Sequence, residues 1–308
     1  MVIAPYTASY SERSPYISLA EFKFSPTASA IDFTNLVEGG GQAAQDRALS
    51  DLITRASNMA DTYTTTAPWG TIGASVNTES GRFRANRQGQ FVIKPQFWPI
   101  IALDSFSWQY AQGGTTVVTL TSQNTWIEPT QFIVMAPWGT NGITVSGSLN
   151  SVAGGFAPQY EALCEYTYVN GWANAFLTAE VAAESNSVHV TTSTGIYPGS
   201  PLTIWDGMND ENVTVSESYD GSSLTLPLTS NLTYRHGSGC NISALPPVVK
   251  QAVIHFTVAM IKDRGQGGIV LAETGFEQAA SSKGMISADD YALGYDLLDE
   301  FKNPWGRG

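Results

Sequence analysis

Three histidines, two cysteines and one tight group of acids are the side chains here whose chemistry could go beyond packing. His189 falls in a run of β-branched residues, His236 in a loop, and His255 beside Val253, Ile254 and Phe256 on an apolar helix. No two of them have the spacing that would set two imidazoles side by side on a metal. His255 reads as an interior histidine with its hydrogen bonds satisfied rather than as a base. Cys164 and Cys240 cannot by themselves supply a disulfide framework or a four-ligand zinc site. Asp206-Gly207-Met208-Asn209-Asp210-Glu211 gathers carboxylates but lacks the alternation and the closing bidentate glutamate of a calcium loop, so it reads as an acidic hairpin turn. The sequence contains no G-x-x-x-x-G-K-[ST], no G-x-G-x-x-G between a strand and a helix, no H-E-x-x-H and no G-x-S-x-G. Eight tryptophans could line a sugar cleft beside two carboxylates, as in glycoside hydrolases, but no pair of acids stands out. The sequons at Asn212, Asn231 and Asn241 carry little weight without a secretory leader. No catalytic residue, cofactor or metal is expected, and the chain does not read as an enzyme.

The charge balance narrows the partners. Fifteen basic residues face 27 acidic ones over 308 positions, a net charge of −12, with no Lys/Arg cluster. Such a chain is poorly suited to wrapping nucleic acid, where affinity comes largely from neutralised phosphates. The longest apolar stretch, Val248 to Ile261, falls short of the roughly 20 residues of a membrane span. It also contains Lys250, Gln251 and His255. The opening residues lack a cationic start followed by a hydrophobic run, so a soluble protein made inside the cell is expected. Between Ser105 and Tyr160 the one charged residue is Glu128. Such a stretch either meets another protein or stays soluble through its hydroxyls and amides, and the sequence leaves both open.

The elements that would position these residues change character along the chain. Residues 18–66 read helical. Ser18-Leu19-Ala20-Glu21 has capping-box spacing, and Pro26 ends the short helix that it opens. After Gly39-Gly40-Gly41, Leu49, Leu52, Ile53, Ala56, Met59, Ala60 and Tyr63 recur at steps of three and four, an amphipathic helix of about five turns. From Gly81 to Ala244 the pattern is of strands: Gln90–Lys94, Thr115–Leu120, Ser187–Thr191 and Asn212–Val215 are rich in β-branched residues and set off by turn residues. Ala-Pro-Trp-Gly-Thr occurs at 67–71 and again at 136–140, too few copies to make a repeat architecture.

Pro246-Pro247 is a helix start. Val248–Ile261 is apolar on nearly all sides, as fits the centre of a bundle or a subunit interface. Ser287-Ala288-Asp289-Asp290 opens a last helix with Tyr291, Tyr295, Leu298 and Phe301 on one side. Its acids Asp289, Asp290, Asp296, Asp299 and Glu300 are answered nearby by Lys302 alone. The tail Asn303-Pro304-Trp305-Gly306-Arg307-Gly308 cannot continue that helix. The expected fold is α+β. A helical bundle comes from the N-terminal (1–80) and C-terminal (245–308) segments, and a large all-β region of sandwich or barrel type is inserted at 81–244, with a further boundary near 185.

This order resembles the head-to-tail connector, or adaptor, proteins of tailed bacteriophages, in particular a long form with a β insertion from phages of actinobacteria. The similar stretches are Tyr16–Lys23, Gly39-Gly40-Gly41 with the helix to Tyr63, Thr78–Arg82 through Phe97–Ile100, Gly195–Gly199 through Thr203–Gly207, and Leu245–Ala252. The resemblance implies a structural protein of the virion neck, made in the host cytoplasm. A helical bundle would assemble into a ring, usually of twelve copies, beneath the portal. The implied partners are other copies of the chain, the portal protein, and a stopper or tail-completion protein. DNA would pass through without specific binding, and no membrane is involved. The C-terminal segment of such adaptors grips the portal, which here falls on Lys302, Asn303, Pro304, Trp305, Gly306 and Arg307. The β region is larger than in minimal adaptors.

Two further expectations concern the acids and the aromatics. Asp296, Asp299 and Glu300 are candidates to face the channel, where negative charge repels phosphate without trapping it; a solvated outer face is the competing reading. Trp172, Tyr197 and Trp205 either contact glycan, as in a β-rich decoration protein, or fill a β core.

Overall fold

The computed structural model describes residues 14–29, 31, 36–64, 71–86, 90–109, 115–135, 161–263 and 283–302, with side chains from 289 onward in the last segment. The chain is mixed α+β with several antiparallel sheets, and it divides into two compact units, one of Ala74–Gly171 and one of the residues on either side of it.

In the flanking unit, α1 (Leu19–Phe24) starts with the expected capping box: the Ser18 hydroxyl accepts from the Glu21 amide while the Glu21 carboxylate accepts from the Ser18 amide. α2 (Gln42–Thr64) buries Leu49, Leu52, Ile53, Ala56 and Ala60 at the anticipated steps. α3 (Pro247–Asp263) begins at the second proline, and α4 (Lys283–Leu298) begins four residues before the expected Ser287 and ends in a 3-10 turn, Asp299–Phe301. One hydrophobic cluster joins Tyr16, Ile17 and Phe22 to the apolar stripe of α2, to Val249, Ala252, Val253, Phe256 and Val258 of α3, and to Leu298 of α4. α3 is apolar nearly all round because α2 and α4 both pack on it. At one crossing α4 carries Gly294, and a Cβ there would stand 2.4 Å from the Phe256 ring.

The second unit contains β1 (Ser75–Arg84), β2 (Gln90–Ile93), β3 (Ile100–Gln109), β4 (Thr116–Val118), β5 (Thr125–Glu128), β6 (Gln131–Met135) and β7 (Glu161–Asn170). They form a four-stranded antiparallel sheet of order β1-β7-β3-β4 and a three-stranded one of order β2-β6-β5. Both sheets feed one core of Phe91, Ile93, Phe106, Trp108, Phe132, Val134, Tyr166 and Tyr168. Alternation along β7 turns Ala162, Cys164, Tyr166 and Tyr168 inward, the period-two pattern of a half-buried strand.

Back in the flanking unit, β8 (Asn174–Phe176), β9 (Ser187–His189), β10 (Pro201–Trp205), β11 (Glu211–Thr214), β12 (Thr225–Pro227) and β13 (Asn241–Ser243) make a sheet of order β11-β10-β13-β8 and a pair β12-β9 around their own cluster.

The boundaries differ from those expected. The separate unit runs from 74 to 171 rather than from 81 to 244, and the strands from 174 onward belong with the helices. β1 and β7 cause this. They pair over their full length, from Ser75↔Asn170 to Arg84↔Glu161, and an isolated bridge joins Gly73 to Trp172 just outside them. The chain therefore leaves and re-enters the flanking unit at adjacent points. No turn signal announces that pairing, since its two strands lie some 80 residues apart in sequence.

Candidate functional site

The acids picked out in the last helix are not equivalent. Asp296 and Glu300 are exposed and have no ion-pair or hydrogen-bond partner among the described residues. Asp299 is exposed but tied down. It accepts from the Tyr63 hydroxyl of α2 at 2.6 Å and pairs with Lys302 at 2.7 Å, and those two bonds, Lys302 first, hold its carboxyl below the ordinary range. Lys302 Nζ also lies 3.9 Å from the centre of the Tyr63 ring. Asp290 faces inward, so Lys302 is not the sole answer to the acids of this helix: Asp290 pairs with Lys262 and sits 3.3 Å from His255 Nδ1. His255 Nε2 meets Gln251, so both its ring nitrogens are engaged, as an interior histidine requires.

Around this end the aromatics interlock. Tyr63 packs on Tyr295 at 4.4 Å, Tyr295 on Phe256 at 5.0 Å, and Trp172 meets Phe301 edge-on at 5.7 Å. Tyr63, Trp172 and Phe301 thus fix the last turn, and Lys302, in extended backbone, ends it. Lys302 is the one expected docking residue within the described residues; Asn303, Pro304, Trp305, Gly306 and Arg307 lie outside them. The aromatics considered for glycan are otherwise occupied in two cases: Trp172 packs against the helical core, and the Trp205 ring lies 4.7 Å beneath Lys250 Nζ.

Three buried polar centres brace this unit. Lys250, on the apolar α3, donates to both Glu21 oxygens at 3.1–3.2 Å, to Asn241 Oδ1 at 2.7 Å and to the Tyr16 carbonyl at 3.1 Å. Burial lowers its ammonium to about 8 against the pull of Glu21, and burial likewise raises the Glu21 carboxyl. Tyr16 donates its hydroxyl to Asp61 and accepts from the Ile72 and Gly73 amides at 3.0 Å, while Asp61 accepts from the Ile72 amide at 2.8 Å. That network anchors the chain where it leaves for the second unit.

The third centre is His236. Fully buried, it faces Asp206 Oδ2 at 2.9 Å through Nδ1 and Glu211 Oε2 at 3.2 Å through Nε2, so each ring nitrogen has a carboxylate partner. Desolvation pushes both carboxyls up, but backbone amides outweigh it together with His236, and both sit below the ordinary range. The amides are those of Asn209 and Met208 for Asp206, and of Thr233 and Tyr234 for Glu211. The acidic hexapeptide is, as expected, the connection of a hairpin, β10 to β11.

The sequence drew attention to parts of these centres, Lys250 in its apolar helix and the acidic hexapeptide Asp206–Glu211, but not to the contacts they make. His236 lies 30 residues from Asp206 and 25 from Glu211, the first residue of β11, and no spacing links them. Among the described residues no group of three or more acids, histidines or cysteines could hold a metal ion. None of their helices is long and apolar enough to cross a membrane. No protein-family model and no curated protein matches the chain.

Proposed function

We propose that the chain is a structural head-to-tail connector of a tailed bacteriophage: a helical bundle with a β insertion that tiles into a ring below the portal and extends the DNA channel. The observation that carries this reading is the shared core of the two ends of the sequence. Residues 16–72 and 245–298 bury one continuous cluster, and the polar centres inside that unit are engaged in bracing it. A building block of this kind presents its outer surface to neighbours. Here α4 offers Leu293, about half exposed, in line with Asp289, Asp296 and Glu300 at helical spacing.

The end of α4 supports the portal-docking part of the reading, because Tyr63, Trp172 and Phe301 clamp the turn from which residues 303–308 depart. An acidic wall suits a conduit for DNA, since it repels phosphate without binding it. Ring contacts between successive copies are heterologous, each patch meeting a different one on its neighbour. Native mass spectrometry of the purified chain, alone and with a portal ring, tests the proposal. A closed ring or a portal-bound ring is expected, and a strict monomer in both conditions, together with absence from the virion neck, overturns it.

A further inference from the structure

Lys250 has a neighbour whose chemistry bracing does not use. The shortest of its hydrogen bonds runs to Asn241 Oδ1 at 2.7 Å, on β13, the strand that precedes α3. The amide carbon of Asn241 lies one bond beyond that oxygen. An amine held against an amide carbonyl is a nucleophile beside its electrophile, and fixed proximity counts once the amine is neutral. Lys250, Asn241 and Glu21 are 2%, 0% and 8% exposed, so bulk water is kept from all three.

The surroundings fit that reaction. The amide is held in one orientation: its Nδ2 donates to Asn174 Oδ1 at 2.8 Å and to the Ala175 carbonyl at 3.0 Å. Those bonds use both of its hydrogens and leave Oδ1 to Lys250. A proton acceptor touches the nucleophile, since the Glu21 oxygens stand 3.1–3.2 Å from Nζ. Burial lowers the Lys250 ammonium to about 8 against the pull of Glu21 and Asp210, and burial raises the Glu21 carboxyl against that of Lys250. Both shifts point toward the neutral amine and the neutral acid.

We propose that Lys250 and Asn241 form an intramolecular isopeptide bond, with Glu21 as the proton-transfer group, so that β13 is joined covalently to α3. Glu21 takes one proton from the Lys250 ammonium. The freed lone pair attacks Asn241 Cγ, the Nζ–Cγ bond forms, and the Cγ–Nδ2 bond breaks with its electron pair going to nitrogen. A second Nζ proton is delivered to Nδ2, which leaves as ammonia, and the third stays on the new amide. Glu21 ends protonated. A buried ion pair is thus exchanged for an uncharged amide and an uncharged acid, and no oxidant or other reactant is needed. The Lys250–Glu21 ion pair is the state before the reaction. The inference does not rest on the connector reading.

Intact mass spectrometry of the purified full chain, followed over days at neutral pH, tests the proposal. The expected mass is below that of the sequence by one ammonia, about 17 Da. Tryptic mapping of the denatured chain locates the change: the cut after Lys250 is lost, and residues 236–262 emerge as one peptide lighter by the same amount. A cyclic imide at an asparagine also loses ammonia, but it leaves the cut after Lys250 intact. Asn241→Ala abolishes the loss, and Glu21→Gln slows it about a hundredfold, with circular dichroism checking that each variant folds. The wild-type mass and map decide the proposal even where a variant does not fold. A wild-type chain that keeps its sequence mass and is cut after Lys250, or an ammonia loss that persists in Asn241→Ala, overturns the inference. Formation at the wild-type rate in folded Glu21→Gln overturns the role given to Glu21. None of these readouts depends on ring assembly, so the connector proposal stands or falls by its own test.

Discussion

The two units of the molecule secure themselves by different means. Ala74–Gly171 is held by aromatic packing: Phe91, Phe106, Phe132 and Tyr166 interlock at centroid distances of 5.1–6.4 Å. Its main polar centre, Glu79, accepts from the Tyr166 and Tyr168 hydroxyls and the Gln96 amide at the margin of that core. The flanking unit instead buries charge, with Lys250 on Glu21, Tyr16 on Asp61, and His236 between Asp206 and Glu211. Apolar packing tolerates small shifts of register, whereas a buried ion or histidine is satisfied in one arrangement and costly in others. The difference teaches where uniqueness is enforced: at the seams among α1, α3 and β13, and at the point where the chain departs for the second unit.

The comparison breaks most visibly at Lys250. Lys250→Met leaves Glu21 buried without its cation and is expected to cost about 3–5 kcal/mol. Hydrogen exchange should show the loss in α1 and α3 and leave residues 74–171 protected. Adding Glu21→Leu to that variant restores much of the stability, because two well-packed apolar groups replace an ion pair. If the single and double variants are equally unstable, the centre acts by shape rather than charge.

The matching test of the aromatic unit is Phe132→Ala. It removes a fully buried ring and should cost about 3 kcal/mol, with protection lost from 74–171 alone. Gly294→Ala sharpens the picture of the helical side. Overpacking against Phe256 costs about 1–3 kcal/mol and the gain in helix propensity returns about 1, so a net loss of about 1 kcal/mol is expected in chemical denaturation.

Acid separates the units further. Asp206 and Glu211 have folded-state pKa values below their unfolded ones, so the unfolded chain takes up protons first. Their contribution is whole above the ordinary carboxylate value of about 4 and is lost as pH falls through the lower folded values. Amides of β10 and β11 should therefore lose protection below about pH 4. Equal protection at pH 3 and pH 6 would show that His236 and its acids hold nothing together.

The smallest effect on stability and the largest on assembly belong to the last helix. Deleting residues 303–308, or changing Asp296, Asp299 and Glu300 to lysine, should leave the melting temperature close to wild type. The deletion should abolish portal attachment in a pull-down, and the triple variant should impair assembly or infectivity in a plaque assay. Retained attachment, or full infectivity, removes the corresponding residues from the proposal.

Much of the helical part was legible because its signals are local. The Ser18–Glu21 box, the stripe from Leu49 to Tyr63 and the start at Pro247 depend on residues within a turn or two of each other, and each formed where its spacing indicated. The strands were legible as strands, but their allocation was not. Ser75–Arg84 and Glu161–Asn170 pair across a long separation, and that pairing set the unit boundaries at 74 and 171. The acids of the last helix were visible as a group. Their division into a buried partner of Lys262, a residue bonded to Tyr63 and Lys302, and three exposed groups, Asp289, Asp296 and Glu300, without a partner among the described residues followed from which helix face met α2 and α3.

By itself, then, the sequence determined which segments are helical, where α1 and α3 begin, and that the chain is acidic and lacks the motifs of the common catalytic sites, because propensity, capping and composition act over a few residues. Tertiary structure alone decided that Lys250 reaches Glu21, that His236 sits between two carboxylates, and that Ser75–Arg84 pairs with Glu161–Asn170. Each of these joins residues brought together by chain closure and strand register, which no local preference encodes.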